Sequence, residues 1–486
     1  MIGTFAWSKG IASTLASGIL LYFGTGLNPI WYLTWLAPIP ILLFASGAPA
    51  WAAFMVAILA FLLGSANTFF YAHGVIGLPL PVVVSALVIP SAAFGVAVLL
   101  WRFCLRRGSL WQAALGFPCA WVAYEFLNAC TSPHGTFGSL SYSEMDCLPL
   151  LQVAALTGLW GVAFMLLLVS ATGAILLLPR SGQRSRTALA AGVSVTLAAV
   201  LAFGEWRLHS DLHATGTLRV ALISSDAEED HWAKDDQHAL AILRRYATQI
   251  ESAHGAQVAV LPEDLGPVSP TAAATAAQIM SAAAKRSGTE VVVGLRAGLK
   301  PPMLNEALVF APSGELEARY EKHHLIPRLE DGIVAGTWIT TLPASTGVEG
   351  VQICKDLDFP GLSRDYGARK VGLLLVPAFD FDVDGWLHGR MAVMRGVESG
   401  FSVARAARHG LLTVTDNRGS VLLQRAGSSS GFVIATADVP VANAATLYGR
   451  FGDWFAVVCI ALLLVAIGTA TVPSSFRLLA GTRFVR

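Results

Sequence analysis

Residues 351–356, Val-Gln-Ile-Cys-Lys-Asp, place a thiol at the point where a short apolar run meets charged side chains. The apolar run is typical of a buried strand, and Cys354 ends it. A thiol at the end of a strand, beside Lys355 and Asp356, is where a thiolate nucleophile is expected. The alternative is a buried structural cysteine, because cysteine is among the most buried residue types. The surrounding sequence has to decide between these two interpretations.

The composition indicates an integral membrane protein that carries one long polar region. The 486 residues are 54% hydrophobic and only 13% charged, with a mean hydropathy of +0.59. Soluble domains carry about 25% charged residues. The net charge of +1, without a basic patch, argues against a nucleic-acid partner. The 6 cysteines show no zinc-ligand spacing, so no metal or other cofactor is expected.

Apolar segments divide the chain into three parts. A membrane span needs about 20 apolar residues, and candidate spans lie at 9–24, 29–46, 50–72, 80–103, 110–129, 149–178 and 187–205. A last span, 453–472, follows the polar region. We therefore predict a seven-helix membrane domain over 1–205, a polar domain over 206–450, and a C-terminal helix with a basic cytoplasmic tail over 451–486. The first segment is interpreted as a helix and not as a cleaved signal, because further apolar segments follow at once.

The basic residues predict the orientation of these helices. Cytoplasmic loops are enriched in Lys and Arg. In the first part of the chain these residues fall before helix one, between helices four and five, and between helices six and seven; they are Lys9, Arg102, Arg106, Arg107, Arg180, Arg184 and Arg186. An N terminus inside then puts the polar domain outside, and the last helix returns the tail with Arg477, Arg483 and Arg486. Cys130 and Cys147 would share an external loop, as a disulfide or as two free thiols.

The polar region alternates between strand and helix patterns. Apolar runs typical of strands lie at 218–223, 257–261, 290–294, 307–311, 348–354 and 371–376. Helical spacing of apolar residues occupies 231–253 and 270–287. This alternation predicts a layered α/β domain. In such domains catalytic side chains gather at the ends of strands.

Two further segments complement the chemistry of Cys354. Glu263 follows a strand directly in Leu-Pro-Glu, and Lys322 lies among aromatic and apolar residues in 320–327, Tyr-Glu-Lys-His-His-Leu-Ile-Pro. Each alone is more simply a surface residue. Together, Glu263 would take the thiol proton, and the ammonium of Lys322 would stabilise thiolate and oxyanion. Such a thioester chemistry fits any acyl-transferring or amide-cleaving enzyme.

Histidines offer alternative bases to Glu263. His323 and His324 follow Lys322 directly, and His388 lies in Trp-Leu-His. For His388 we expect local packing or binding in preference to a role as the base.

The three segments in this order resemble the Glu-Lys-Cys triad of the nitrilase, or carbon–nitrogen hydrolase, superfamily. With its membrane helices, the chain resembles the apolipoprotein N-acyltransferase family over nearly its whole length. Supporting stretches are 137–143 (FGSLSYS), 386–398 (WLHGRMAVMRGVE) and 446–454 (TLYGRFGDW), the last leading into the final helix. The resemblance implies an αββα sandwich attached to a multi-pass helical membrane domain.

The resemblance also implies an activity and its residues. The family acylates the N-terminal cysteine of bacterial lipoproteins with a chain taken from a phospholipid. Glu263 then matches the general base, Lys322 the oxyanion-stabilising lysine and Cys354 the acylated nucleophile. Glu330 matches the family's second functional glutamate, and Asp356 an acidic position two residues after the nucleophile. The implied partners are a phospholipid donor, a diacylated apolipoprotein acceptor and the membrane.

The resemblance further implies a location. We expect a bacterial inner-membrane protein whose catalytic domain faces the periplasm. The oligomeric state is open, with a monomer as the expectation. Phe69, Phe70, Tyr71 and Trp121 are candidate lipid contacts, although interfacial packing explains each of them as well.

The chain departs from the family pattern around the active site. Lys355 stands where the family usually has Tyr, and a cation there should favour a thiolate. The stretch between Lys322 and Cys354 is short, and 377–384 (PAFDFDVD) and 132–134 (SPH) replace the family's usual segments. These changes leave the acceptor open. The alternative hypothesis is a membrane-tethered amidase or acyltransferase with another amine acceptor, whereas the intact triad disfavours a non-catalytic scaffold.

Overall fold

The computed structural model describes residues 4–179, 183–212, 214–230 and 233–471. Up to His209 the described chain forms helices and turns without a strand. The helices are α1 (Thr4–Gly24), α2 (Trp31–Thr34), α3 (Pro38–Gly47), α4 (Ala50–Ser65), α5 (Leu80–Arg106), α6 (Leu110–Thr131), α7 (Leu148–Leu151), α8 (Ala154–Thr157), α9 (Leu159–Leu177) and α10 (Gln183–His209). Each helical segment predicted in this part therefore contains helix, although 29–46 and 149–178 are interrupted.

Local chemistry explains the two interruptions. Pro38 is the first residue of α3, and proline is tolerated in the first turn of a helix but not in its interior. Gly158 precedes α9 with a φ of 67°, a left-handed conformation that glycine adopts at no steric cost. A Cβ at Gly158 would lie 2.5 Å from the ring of Tyr448. The glycine thus ends α8 and lets the chain pass close to Tyr448.

The helical bundle has α9 at its centre and apolar side chains on its outer surface. Of the 18-residue apolar stretch within α9, 83% is buried, whereas 17% of the corresponding stretch of α10 is buried. Ile11, Trp51 and Ile89 are each more than half exposed on the outer faces of their helices. Contiguous apolar surface of this kind suits a lipid environment. Among the described residues, four helices are long and apolar enough to cross a membrane: Ala50–Thr68, Leu80–Arg106, Leu159–Leu177 and Gln183–His209.

The second part of the chain is an α/β domain of two six-stranded sheets. The elements are β1 (Gly216–Ser225), α11 (Asp236–Ser252), β2 (Val258–Val260), α12 (Pro270–Ser287), β3 (Glu290–Ala297), β4 (Leu304–Phe310), β5 (Leu316–Glu321), β6 (Thr341–Ala344), β7 (Gly347–Val351), α13 (Pro360–Ala368), β8 (Val371–Phe379), α14 (Gly385–Ser399), β9 (Ser402–Arg408), β10 (Leu411–Thr415), β11 (Val421–Ala426), β12 (Phe432–Val441), α15 (Leu447–Phe451) and α16 (Trp454–Thr471). The first sheet has the order β12-β1-β2-β3-β4-β5 and the second β11-β10-β9-β8-β7-β6.

Two apolar cores hold these layers together. One lies between the sheets and joins strand residues such as Val220, Val292 and Leu374, all of which are fully buried. The other lies between the first sheet and helices α11 and α12, with Leu243 and Met280 at its centre. Helices α13 and α14 cover the second sheet. The domain is an αββα sandwich, and the predicted α/β class is confirmed.

The α/β domain rests on one end of the helical bundle. The Thr136 hydroxyl, after α6, donates to the carbonyl of Asp358 at 2.8 Å, and the Tyr71 hydroxyl donates to Asp384 at 2.7 Å. At the opposite end of the bundle, Arg102 and Arg106 donate to the carbonyl of Ala48, between α3 and α4. The arginines of α5 are therefore a helix length away from the α/β domain.

A few sequence predictions fall on residues that the structure does not describe. They concern Arg180, the start of the predicted helix 231–253, and the tail with Arg477, Arg483 and Arg486, all outside the described residues. Cys130 and Cys147 are described, and both are free thiols.

Candidate active site

Cys354 begins a tight 3₁₀ turn, Cys354–Asp358, just after β7. Its φ is 40°, a left-handed conformation that costs a non-glycine residue about 1–3 kcal/mol and that clusters at functional sites. The thiol is 6% exposed, and its Sγ donates to the carbonyl of Phe379 at 3.4 Å, at the end of β8. Because β7 and β8 are parallel neighbours, their carboxyl ends meet at this point. The strand-end position expected for Cys354 is what the structure shows.

Asp356 fixes this turn to the segment that carries the lysine. One carboxylate oxygen accepts from the Tyr320 hydroxyl at 2.6 Å, and the other accepts from the backbone N–H of His324 at 2.9 Å. Burial raises the pKa of Asp356, but hydrogen bonds from His324 and Tyr320 outweigh it, and the pKa lies below its ordinary value. Asp356 is therefore a charged anchor beside the nucleophile.

Lys322 lies between two buried carboxylates. Its Nζ is 2.7 Å from Glu263 Oε1 and 2.9 Å from Glu330 Oε1, and the lysine is 1% exposed. Burial lowers the pKa of Lys322, but Glu263, Glu330 and the Cys354 thiol outweigh it and hold the pKa well above its ordinary value. The lysine thus stays an ammonium ion in the interior, as a group that stabilises negative charge must.

Asn305 completes this cluster, although the sequence analysis did not single it out. Its amide donates to Glu263 Oε1 at 2.7 Å and to Glu330 Oε1 at 2.8 Å. Its sequence signal is a polar Asn-Glu pair at 305–306, directly before the apolar run of β4. The amide aligns both carboxylates on Lys322.

Backbone contacts bring the carboxylate to the thiol. The N–H of Glu263 donates to the carbonyl of Ala378. The next residue, Phe379, accepts from the Cys354 thiol. Burial raises the pKa of the Cys354 thiol, Glu263 raises it further, and His388 and Lys322 oppose the shift without cancelling it. The structure therefore brings Glu263, Lys322 and Cys354 together around a thiol that rests in its neutral form.

His388 is a further neighbour of the thiol. Its imidazole, the Asp380 carboxylate and Cys354 Sγ lie within 4.8 Å of one another. Among the described residues this is the one such group that could hold a metal ion. Arg405 donates to both oxygens of Asp380, however, so the group does not fit a metal centre. The expectation that His388 binds locally holds only in part, since what it faces is the nucleophile.

Lys355 points away from the role expected for it. Its Nζ is 3.2 Å from His134 Nδ1 and 3.3 Å from Asp358 Oδ2. The ammonium was expected beside the sulfur, but it faces these two side chains instead. Burial lowers the pKa of His134 to about 4, with the charge of Lys355 as a second cause. The neutral His134 ring accepts from the ammonium. Lys355 therefore ties the nucleophile turn to the loop after α6.

A cavity of about 580 Å³ joins the thiol to the helical bundle. Cys354, Lys355 and His388 line one end of it. The rest is lined mainly by apolar residues of the helical bundle, among them Val83 of α5 and Trp121 of α6, with polar residues such as Glu125 and Thr136. Of the candidate lipid contacts, Tyr71 and Trp121 line the cavity; Phe69 and Phe70 are partly exposed, at 37% and 70%. The reactive sulfur thus opens onto an apolar chamber between helices.

Two family models match separate parts of the chain. The family described as carbon-nitrogen hydrolase matches residues 219–446, and the family described as apolipoprotein N-acyltransferase N-terminal domain matches residues 17–172. An apolipoprotein N-acyltransferase from Geobacter metallireducens is 27% identical over 92% of each chain. Another, from Bradyrhizobium diazoefficiens, is 27% identical over 77% of this chain and 75% of its own. A nitrilase-superfamily amidase from Nesterenkonia AN1 is 23% identical with a TM-score of 0.43, covering 49% of this chain and 96% of its own.

Proposed function

Because this chain belongs to the apolipoprotein N-acyltransferase family of carbon–nitrogen hydrolases, we propose that it moves an acyl chain from a phospholipid to the N-terminal cysteine amine of a bacterial apolipoprotein. The observation that carries this proposal is the cavity that joins Cys354 to the helical bundle. Transfer of an acyl chain from water into an apolar site contributes about 0.8 kcal/mol per CH₂. An enzyme that acts on phospholipid needs such a chamber beside its nucleophile.

The first half-reaction forms a thioester on Cys354. Glu263 takes the thiol proton, the sulfur attacks the carbonyl carbon of the phospholipid ester, and a lysophospholipid leaves. The ammonium of Lys322 faces the negative charge that develops on sulfur and on the carbonyl oxygen. In the second half-reaction the acceptor amine attacks the thioester, the C–S bond breaks, and Glu263 returns its proton to the sulfur. The proton that the amine loses balances the proton that the lysophospholipid oxygen takes up when it leaves.

Three supporting residues have positioning roles in this scheme. Glu330 and Glu263 together hold Lys322. With only one of these carboxylates, the ammonium of Lys322 would be less firmly positioned. Asp356 sets the nucleophile turn against the lysine segment. Lys355 and His134 close one wall of the chamber.

We also propose that residues 1–205 and the last helix lie in the membrane, with the α/β domain on the periplasmic side. The end of the bundle that carries Arg102 and Arg106 is opposite to the end that carries the α/β domain. Since basic residues mark cytoplasmic loops, this arrangement supports the orientation expected from the sequence. A monomer remains our expectation.

Reconstitution tests the proposed reaction. Purified protein in phospholipid vesicles is mixed with a diacylated lipopeptide, and mass spectrometry follows the triacylated product and an acyl adduct on Cys354. We expect both with the natural chain and neither with Cys354→Ala. Hydrolysis of a small amide, without triacylated product, would instead support the alternative amidase. Complementation of a lipoprotein N-acylation defect by the same two chains gives the cellular test.

A further inference from the structure

The thiol has a basic neighbour that the scheme above leaves unused. His388 lies on α14, and a ring nitrogen of its imidazole is within 4.8 Å of the Cys354 sulfur. It also lines the acyl chamber, where the scissile ester must lie for the sulfur to attack it. An imidazole at this position lies close to both the nucleophile and the space of the leaving group.

Two aspartates hold the imidazole in place. Nδ1 is 3.3 Å from Asp380 Oδ1, and Nε2 is 3.7 Å from Asp384 Oδ2. Arg405 donates to Asp380 at 2.8 Å from within the sheet, and the Tyr71 hydroxyl donates to Asp384 from the helical bundle. Both aspartates are therefore fixed from behind, and the ring cannot turn freely.

The charges around the ring favour its protonated form. The charged and titratable groups that face His388 or its partners are Asp380, Asp384, Arg405, Tyr71 and Cys354, with Glu263 and Lys322 beyond the sulfur. Two carboxylates against one guanidinium leave an excess of negative charge at the ring. Burial lowers the pKa of His388, but Asp384 and Asp380 outweigh it and hold the pKa well above its ordinary value.

We propose that His388 is the general acid of the acylation step and donates its proton to the ester oxygen of the departing lysophospholipid. This inference rests on the proposed function. A glycerol alkoxide is a strong base and a poor leaving group, so protonation of its oxygen assists the break of the C–O bond. In this step Glu263 is the base and His388 is the acid.

The protons balance over one turnover. In acylation the thiol proton passes to Glu263, the C–S bond forms, the C–O bond breaks, and the imidazolium proton passes to the leaving oxygen. In transfer the amine attacks, its proton passes to the neutral imidazole, the C–S bond breaks, and Glu263 returns a proton to the sulfur. Both groups regain their starting forms.

The identity of the leaving group provides the test. The variant His388→Gln is compared with the natural chain on phospholipid and on a p-nitrophenyl ester of the same acyl chain, whose leaving group needs no proton. Intact-protein mass spectrometry measures the rate of acyl adduct formation on Cys354. A general acid is worth about 10²–10⁴-fold, so we expect a loss of that size with phospholipid. With the p-nitrophenyl ester we expect less than about a tenfold loss.

Controls separate this role from a structural one. His409→Gln removes a histidine that is likewise bonded to an aspartate, Asp382 at 3.0 Å, and should leave both rates nearly unchanged. Asp384→Asn keeps the shape of the site, weakens the support for the imidazolium, and should move the alkaline limit of the phospholipid rate to lower pH. Equal losses of His388→Gln on both donors, or no loss on phospholipid, would overturn the proposal. A natural chain that is acylated by the activated ester but never by phospholipid would contradict the proposed function itself.

Discussion

Replacement of Lys322 by methionine tests the electrostatics of the site most directly. The ammonium makes contacts of 2.7, 2.9 and 3.0 Å with Glu263 and Glu330, and all three residues are buried. In Lys322→Met these two carboxylates face each other without a counter-charge. Removal of one partner from a buried ion pair costs about 3–5 kcal/mol. Because a domain of 150–250 residues shifts its melting temperature by about 2–4 °C per kcal/mol, the α/β domain should melt roughly 10 °C lower.

The loss of melting temperature in Lys322→Met should depend on pH in a direction that can be stated in advance. In the natural chain the pKa of Lys322 is raised, so its contribution is fully present below about pH 10 and is lost only above the raised value. Between about pH 5.5 and pH 8 the positive charge of Lys322 in the natural chain is therefore constant. In the variant the unpaired carboxylates bind protons as the pH falls, which removes their repulsion. The difference in melting temperature should be largest near pH 8 and should shrink toward about pH 5.5.

Differential scanning fluorimetry in detergent measures these melting temperatures. Lys285→Met, on the exposed last turn of α12, is the matched control and should change stability by less than about 0.5 kcal/mol. The double variant Lys322→Met/Glu330→Gln should recover part of the loss, because one of the two facing charges is removed. A melting temperature of Lys322→Met within about 2 °C of the natural chain, or a deficit that grows as the pH falls, would refute the electrostatic reasoning.

Three further predictions concern the turn, the chamber and the topology. Lys355→Tyr introduces the residue that the family usually carries. Because Nζ of Lys355 faces His134 and Asp358, the rate of adduct formation on Cys354 should stay within about tenfold of the natural rate. A loss of rate as large as that of Lys322→Met would contradict this expectation. Ala86→Trp narrows the chamber from α5 and should slow acylation by a long-chain phospholipid while acylation by p-nitrophenyl acetate is unchanged; equal rates with the long chain would show that the chain lies elsewhere. The topology is tested in a chain without its other reactive cysteines. A cysteine introduced at Lys300 should react with a membrane-impermeant maleimide in intact spheroplasts, and a cysteine introduced at Arg184 should react only after lysis. The reverse labelling pattern would contradict the proposed orientation.

The sequence predicted the elements better than it predicted their contacts. Apolar runs and helical spacing are local properties, so the strands and helices around Glu263, Lys322 and Cys354 follow from the residues themselves. The ends of β7 and β8 meet because the strands are parallel neighbours, and an α/β pattern already implies such ends. The strand-end position of Cys354 could thus be expected from its place in the chain. Its approach to Glu263 and Lys322, which follow strands of the other sheet, could not.

Contacts across the fold could not be read from local pattern. Lys355 follows the thiol in sequence, but the left-handed turn at Cys354 sends its side chain to His134 on the helical side. His388 was expected to pack or bind locally, and only the path of 377–384 puts two aspartates beside it. The side-chain amide of Asn305 donates to Glu263 and Glu330, and both lie in other segments of the chain. In each case the deciding neighbour is distant in sequence, and a single chain carries no signal for such pairs.

The segment 377–384 joins the two parts of the site. Its first residues belong to β8 and supply the carbonyls that hold Glu263 and Cys354. Two of its three aspartates, Asp380 and Asp384, hold His388. One of these aspartates, Asp384, accepts from Tyr71, which also lines the acyl chamber. A lipid chain in the chamber therefore contacts a residue that is one hydrogen bond from the support of the imidazole. If His388 is the general acid, Tyr71→Phe should weaken acylation by phospholipid more than acylation by the activated ester, because it loosens Asp384 without touching the thiol. Equal effects on both donors would mean that Tyr71 serves only to shape the chamber.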